Sequence, residues 1–253
     1  MPRRLLFATL LIVVACRESP EATARDNSVE SACQERSFEG DHFTVCDAGR
    51  GRVELFAAAQ GEPPLRRFAD VEAQLGPQAA DVAFAMNAGM FDEDGRPIGL
   101  AIVEGKQVHA INRRKGGGNF HLMPNGVFQV HEDGRADVVV SEKWKPSSTI
   151  RVASQSGPML VIDGKLHPAF DQNGTSLHIR NGVGVGANGR PLLVISEDAV
   201  SFGRLARFFR DELKCSNALF LDGAVSALWD PANGRRDVTV PLGPMIVVFK
   251  AAE

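Results

Sequence analysis

Short hydrophobic runs alternate with glycine-bearing polar turns along most of this chain, and that rhythm sets its predicted elements. "HFTVCDAG" (42–49) and "GRVELFAAA" (51–59) alternate with a period of two, which predicts two strands; their closeness in sequence predicts that they pair. "FADVEAQLG" (68–76) has the helical period and predicts a short helix closed by Gly76. "DVAFAMNAGMFDEDGRPIGLAIVEGK" (81–106) predicts a strand, a loop and a strand. Three hairpins follow. "GVFQVHEDGRADVVVSE" turns at Glu132-Asp133-Gly134-Arg135, "GPMLVIDGKLH" at Asp163-Gly164, and "LHIRNGVGVGANGRPLLVISED" at Asn188-Gly189. "SFGRLARFFRDELK" (201–214) predicts the best helix, with Ser201 as N-cap and Phe202, Leu205, Phe209 and Leu213 as its apolar stripe. "ALFLDG" is a buried strand, and "VTVPLGPMIVVFK" closes the fold. Hairpin-linked strands make antiparallel sheets. The expected class is therefore α+β: one domain, over 32–253, with a mostly antiparallel sheet core flanked by a few helices.

The N-terminus departs from this rhythm. "MPRRLLFATLLIVVAC" has two arginines and then an apolar stretch from Leu5 to Ala15, too short to span a bilayer and built like a secretory signal. It ends in Val13-Val14-Ala15-Cys16, similar to a lipobox. Cleavage there would leave a lipidated Cys16, a membrane anchor through its acyl chains. Residues 1–15 are thus expected to be a lipoprotein signal and 16–31, polar and without aromatics, a tether. Arg17 stands where an Asp would mark inner-membrane retention, so the expected address is a bacterial cell envelope, facing the periplasm, at the outer membrane. Export implies an oxidising compartment. Cys33 and Cys46 flank "QERSFEGDHFTV" and are expected to pair across a hairpin turned at Glu39-Gly40-Asp41. Cys215 is left over, and a buried, inert thiol is expected of it.

Composition changes the picture in two respects. With 253 residues, a net charge of -3 and no basic cluster beyond short pairs such as Arg113-Arg114, the chain is not built for nucleic acid. There is no tyrosine, so acid–base chemistry falls to His, carboxylates, Lys or Cys.

Five stretches place polar residues beside glycines at predicted strand ends: Asn87-Ala88-Gly89-Met90-Phe91-Asp92, Asn125-Gly126, Ser154-Gln155-Ser156-Gly157-Pro158, His178-Ile179-Arg180 and Asp222-Gly223-Ala224-Val225-Ser226. Taken singly each reads equally as a turn. Gln155 reads as a satisfied core amide, Arg180 and His178 as surface residues, and Asp222 as a capping residue.

In this order and spacing, however, "MNAGMFDEDGRPIGL", "NFHLMPNGVFQV", "ASQSGPMLVIDGKLHP", "RNGVGVGANGRPLLVIS" and "ALFLDGAVSALW" resemble the phosphodiester glycosidase family, from about Cys33 to Lys250. Two departures stand out. The family commonly has Asn-Gly-Gly where this chain has Asn87-Ala88-Gly89, and Asp-Gly-Gly where it has Asp222-Gly223-Ala224. Alanine disfavours positive φ, so loop geometry at both places is expected to differ from that of relatives with two glycines.

The resemblance implies cleavage of a sugar's anomeric C–O bond to a phosphodiester, on an envelope or extracellular glycan carrying an N-acetylhexosamine-type sugar. Phosphate is a good leaving group near neutral pH, so the strong general acid of ordinary glycoside hydrolysis matters less. A cation must hold the phosphate, and Arg180 can do so bidentately. A carboxylate must face the anomeric carbon, and Asp222 is the first candidate. Backbone N–H groups at Gly223 and Gly157 offer further phosphate donors. Asn87, Gln155, Ser156 and Ser226 suit hydroxyl or N-acetyl recognition. His178 would line the site from the strand face it shares with Arg180. Glu104 and Asp92 are the reserve carboxylates, each with a second reading as a turn residue.

No cofactor is called for. The acidic loop Asp92-Glu93-Asp94 makes Asp92 the weak candidate for a divalent ion. A metal-dependent phosphodiesterase ranks last, because no His-x-His or His-Glu-x-x-His spacing occurs. The competing class is a glycan-binding lipoprotein without catalysis on the same scaffold.

Overall fold

A computed structural model describes residues 31–49, 51–171, 173–238 and 240–251. The leader 1–15, Cys16 and all but the last residue of the 16–31 tether lie outside them.

Among the described residues three sheets form, and every pairing within them is antiparallel. The seven-stranded sheet runs, in spatial order, Cys33–Phe38, Asp41–Asp47, Pro191–Ser196, Asn181–Val185, Asn217–Phe220, Met159–Ile162 and Lys165–Leu166. One five-stranded sheet orders Arg235–Arg236, Leu228–Asp230, Val82–Asn87, Met245–Phe249 and Arg52–Phe56. The other orders Lys106–His109, Ala101–Val103, Ile150–Ser156, Gly126–His131 and Ala136–Val140. Side chains from all three sheets meet in one core, which includes Phe84, Phe128, Leu219 and Ile246. The helices Phe68–Leu75 and Phe202–Arg207 flank it, and the class is α+β as expected.

The three predicted hairpins form at the turns the sequence marks, with Gly134, Gly164 and Gly189 all at positive φ. The N-terminal hairpin also forms. Glu39 and Gly40 take φ of 49° and 90°, the left-handed pair that a two-residue turn demands. Its register sets Cys33 directly opposite Cys46, and the two are bonded with Cα atoms 3.9 Å apart. Closing so short a loop stabilises by about 3 kcal/mol in the chain-entropy account. Replacing both cysteines by alanine is therefore expected to lower the unfolding free energy by about that much, read from denaturant midpoints. An unchanged midpoint would show the bridge to be idle.

Two expectations are corrected. The strands Asp41–Asp47 and Arg52–Phe56 do not pair with each other. The first lies between Cys33–Phe38 and Pro191–Ser196, and the second pairs with Met245–Phe249 in another sheet. The first strand is buried from Phe43 to Cys46, so both its faces need distant cover. The chain changes sheets near Gly51, where a Cβ would overlap the Phe249 carbonyl. The predicted helix 201–214 is the second case. Ser201 caps it, accepting from Arg204 N at 3.1 Å, but after Arg207 it widens into a π-turn over Phe208–Glu212. The wider turn allows consecutive Phe208 and Phe209 both to be buried, with Phe208 stacked on Phe43 at 4.0 Å.

Candidate active site

The strand Val82–Asn87 ends at Asn87, and the strand Asn217–Phe220 ends two residues before Asp222. Their ends are tied together. The Asp222 N–H donates to the Ala88 carbonyl at 3.1 Å, and Asn87 Nδ2 donates to the Asp222 carbonyl at 2.7 Å. Asn87 Oδ1 accepts from Ala227 N and from Asn181 Nδ2, both at 2.9 Å. One buried asparagine thus joins the Asp222 loop to the strand Asn181–Val185, which begins directly after Arg180. A second clamp lies deeper. Gln155 Oε1 accepts from the N–H groups of Leu100 (2.9 Å) and Asn112 (2.8 Å), and its Nε2 donates to the Asn112 carbonyl at 2.6 Å. Asn87 and Gln155 are 1% exposed, and neither lines the cavity that Arg180 borders. Both amides, expected to read a sugar, have every side-chain polar atom bonded to protein, and those bonds fix the loops they join.

Asp222 itself is half-buried. It heads a short helical turn, Gly223–Val225, and accepts from Ala224 N at 3.3 Å. Burial raises its pKa above the usual carboxylate range, and the Ala224 N–H offsets part of that rise. The next residues, Gly223 to Ser226, form one wall of a cavity of about 630 Å³, within the range of ligand sites. His178, Ile179 and Arg180 form another. Ser226 Oγ donates to the Gly223 and Ile179 carbonyls, which locks these two walls together.

Gly223 is required for closeness rather than for φ. A Cβ there would overlap the Phe220 ring and come within 3.6 Å of Arg180 Cα. Gly89 is similar, since a Cβ would overlap the Gln155 carbonyl. Neither glycine takes positive φ, and neither do Ala88 and Ala224, so the two alanines that replace the family's usual glycines sit in conformations alanine accepts.

Arg180 is the most unusual side chain here. It is 3% exposed, yet among the described residues no carboxylate pairs with it. Nε donates to the Val200 carbonyl at 2.8 Å and Nη2 to the Ser176 carbonyl at 3.0 Å. The guanidinium lies 3.8 Å over the Phe202 ring and 5.5 Å from that of Phe220. Burial lowers its pKa to about 10, so it remains cationic at neutral pH. A buried cation without a counter-ion, bordering a cavity, is an anion site in waiting.

The far wall holds residues that spacing did not reveal. Arg235 is bracketed by Glu197 (2.6 Å) and Asp237 (3.0 Å), a trio that neutralises its own cation. In the sequence, "GRRD" looks like a solvated charge run, and nothing local signals its partner Glu197. Asn119 and Ser196 also border the cavity.

The remaining expected residues fall elsewhere. Glu104 takes φ of 49° in the tight turn after Ala101–Val103 and borders a separate cavity of about 380 Å³, with Glu54 and Arg151. The structure thus sets this reserve carboxylate in a turn, apart from the lining of the Arg180 cavity. Asp92 is exposed and closes its loop by accepting from Arg96 N at 2.9 Å. Ser156 and Gly157 are buried, away from the cavity wall; a Cβ on Gly157 would press on Asn125, and Ser156 Oγ has no partner. Cys215 is buried, its thiol pushed up to about 12 by burial and therefore inert. Among the described residues, no three His, Cys, Asp or Glu side chains gather as a metal site.

Comparisons with known proteins give the fold and the family. The sequence is 37% identical over 162 residues to the uncharacterized protein YigE of Escherichia coli (strain K12), a match that spans 64% of this chain and 61% of that protein. The chain therefore covers about three-fifths of the length of that curated relative. Among solved structures, the fold is shared with the zebrafish N-acetylglucosamine-1-phosphodiester alpha-N-acetylglucosaminidase catalytic domain, auto-inhibited by its pro-peptide. The TM-score is 0.59 at 16% identity, over 87% of this chain and 82% of that one. A hypothetical protein from Synechocystis gives 0.55 at 14% identity, over 86% of this chain and 61% of that one. At such identities these likenesses speak for the fold. The family model for phosphodiester glycosidases matches residues 80–249, a span that contains Asn87, Asp222 and every residue lining the Arg180 cavity; this chain belongs to the phosphodiester glycosidase family.

Proposed function

We propose that this protein hydrolyses the glycosidic bond of a sugar-1-phosphodiester of the N-acetylhexosamine type, on envelope glycans reached from a lipid anchor at Cys16. Water adds to the anomeric carbon, the C–O bond to phosphate breaks, and the phosphate monoester leaves with the bonding pair. Arg180 holds the phosphate and balances the charge that grows on it. The Asp222 carboxylate acts at the anomeric carbon, as nucleophile or as base for water, and stabilises oxocarbenium-like charge. His178 and Ser226 border the same cavity and offer polar groups for sugar hydroxyls.

The observation that carries this reading is the buried, carboxylate-free guanidinium of Arg180 in a cavity walled by the residues that follow Asp222. The test uses the chain from Arg17 onward with a panel of α-linked sugar-1-phosphodiesters in ¹⁸O-water. Free sugar should appear with the label on its anomeric hydroxyl. Label on phosphorus instead would mean P–O cleavage and overturn the reading. Binding without turnover across the panel would make the chain a glycan-binding protein.

A further inference from the structure

Four large hydrophobic side chains remain exposed among the described residues: Leu177 (54%), Ile179 (39%), Val238 (81%) and Val240 (52%). Exposed apolar residues scattered singly need no explanation, whereas apolar surface gathered at a pocket marks a contact site. Ile179 lines the Arg180 cavity, and Val238 and Val240 line a neighbouring one that shares Asp237 with it. Leu177 and Ile179 bracket His178, and Val238 follows Asp237; both His178 and Asp237 border the Arg180 cavity.

Asp237 also borders a second cavity of about 310 Å³, walled by Phe68, Val238, Val240, Pro241 and Leu242. The two cavities share more than Asp237. Val225, from the Arg180 cavity, packs in one hydrophobic cluster with Phe68 and Leu242 from the second. Backbone bonds hold the divide rigid, with Asp237 N donating to the Leu228 carbonyl and Asp237 Oδ2 accepting from Leu228 N, both at 2.9 Å.

Cations surround this apolar wall. Arg66, Arg67 and Arg236 border the second cavity. Arg236 pairs with Glu72 at 2.8 Å and lies over the Trp229 ring. Arg66 lies over Phe91, and its Nε is buried without a partner. Apolar surface ringed by arginines complements an anionic amphiphile. A hydrated sugar chain would leave the valines without cover.

We propose that this second cavity is an aglycone subsite for a long-chain alcohol, so that the substrate is a sugar-1-phosphodiester whose phosphate sits on Arg180 and whose apolar chain runs over Val238 and Val240. The proposal rests on the glycosidase reading for the bond that breaks, but the subsite can be tested without turnover. Octyl phosphate and ethyl phosphate, the kind of monoester the reaction would release, would be titrated calorimetrically into the chain from Arg17 onward, below the micelle concentration. Burial of three methylenes, at roughly fourfold each, predicts octyl phosphate to bind about 60-fold more tightly. The exposed pair Val238→Asp/Val240→Asp should bring that ratio close to one.

A parent ratio near one, or no binding of either compound, would overturn the proposal. So would a high ratio unchanged in the double variant, which would place the chain elsewhere. A high, valine-dependent ratio with no turnover of any phosphodiester would sustain the subsite and sink the glycosidase reading instead.

Discussion

Asp222→Asn is expected to reduce kcat/KM for sugar-1-phosphodiesters by about 10²–10⁴-fold, the range for loss of a positioned acid–base group, while the chain folds normally. Asparagine keeps the side-chain oxygen that accepts from Ala224 N, and the backbone bonds to Ala88 and Asn87 do not involve the carboxylate. The variant should therefore keep the loop and lose only the charge.

The pH dependence sharpens this expectation. Burial raises the Asp222 pKa, so the folded protein holds this proton more tightly than the unfolded chain does. Stability from this group is then full below the unfolded carboxylate value of about 3.9 and is lost as pH rises through the raised folded value. At neutral pH the ionised carboxylate destabilises the fold, and Asp222→Asn should raise the melting temperature, the gap opening above about pH 4. Activity runs the opposite way. If ionised Asp222 is the working form, kcat/KM climbs with pH through the same raised pKa. An inactive variant that melts higher would be the signature of a residue held at a cost in stability for chemistry. Unaltered turnover, or a variant that melts lower at neutral pH, would return Asp222 to the role of a turn cap.

Arg180→Met should lower kcat/KM by about 10²–10³-fold, the usual loss when one preorganised electrostatic donor is removed from a site. Methionine fills much of the volume between Phe202 and Phe220 but cannot donate to the Val200 and Ser176 carbonyls. Each such orphaned acceptor costs about 1–3 kcal/mol, so a drop in stability accompanies the loss of activity and has to be separated from it. Inorganic phosphate provides the separation. In the parent it should compete with substrate; in Arg180→Met, inhibition should weaken by about 10²-fold even in the fraction shown to be folded by circular dichroism. Arg180→Lys, which keeps the charge and loses the fork, should fall between the two. Equal phosphate inhibition in all three would leave Arg180 as a packing residue. The environment disfavours both charged forms, pushing Asp222 up and Arg180 down to about 10; Arg180 lines the cavity, and Asp222 stands directly before the Gly223–Ser226 segment that walls it.

The sequence by itself determined whatever is local. Period-two alternation and the turn glycines placed the hairpins at Glu132–Arg135, Asp163–Gly164 and Asn188–Gly189. The spacing of Cys33 and Cys46 about a two-residue turn located the disulfide, and Ser201 marked its helix start. These succeed because hydrogen bonds and φ preferences within a few residues decide them. The order of polar-glycine stretches carried the family for the same reason, as each stretch lies at or beside a strand end.

Tertiary structure alone decided the rest. Alternation says which face of a strand is apolar but not which strand covers it, so Asp41–Asp47 and Arg52–Phe56 look like partners in sequence and end in different sheets. An amide beside a glycine looks the same whether it faces a ligand or a carbonyl, and only assembly showed Asn87 and Gln155 to be filled by protein partners. The counter-ions are decided at the longest range. Glu197 lies 38 residues from the Arg235 it neutralises, while Arg180, among strand ends brought together from across the chain, pairs with no carboxylate among the described residues. Charge compensation depends on distance in space, and a sequence records only distance along the chain.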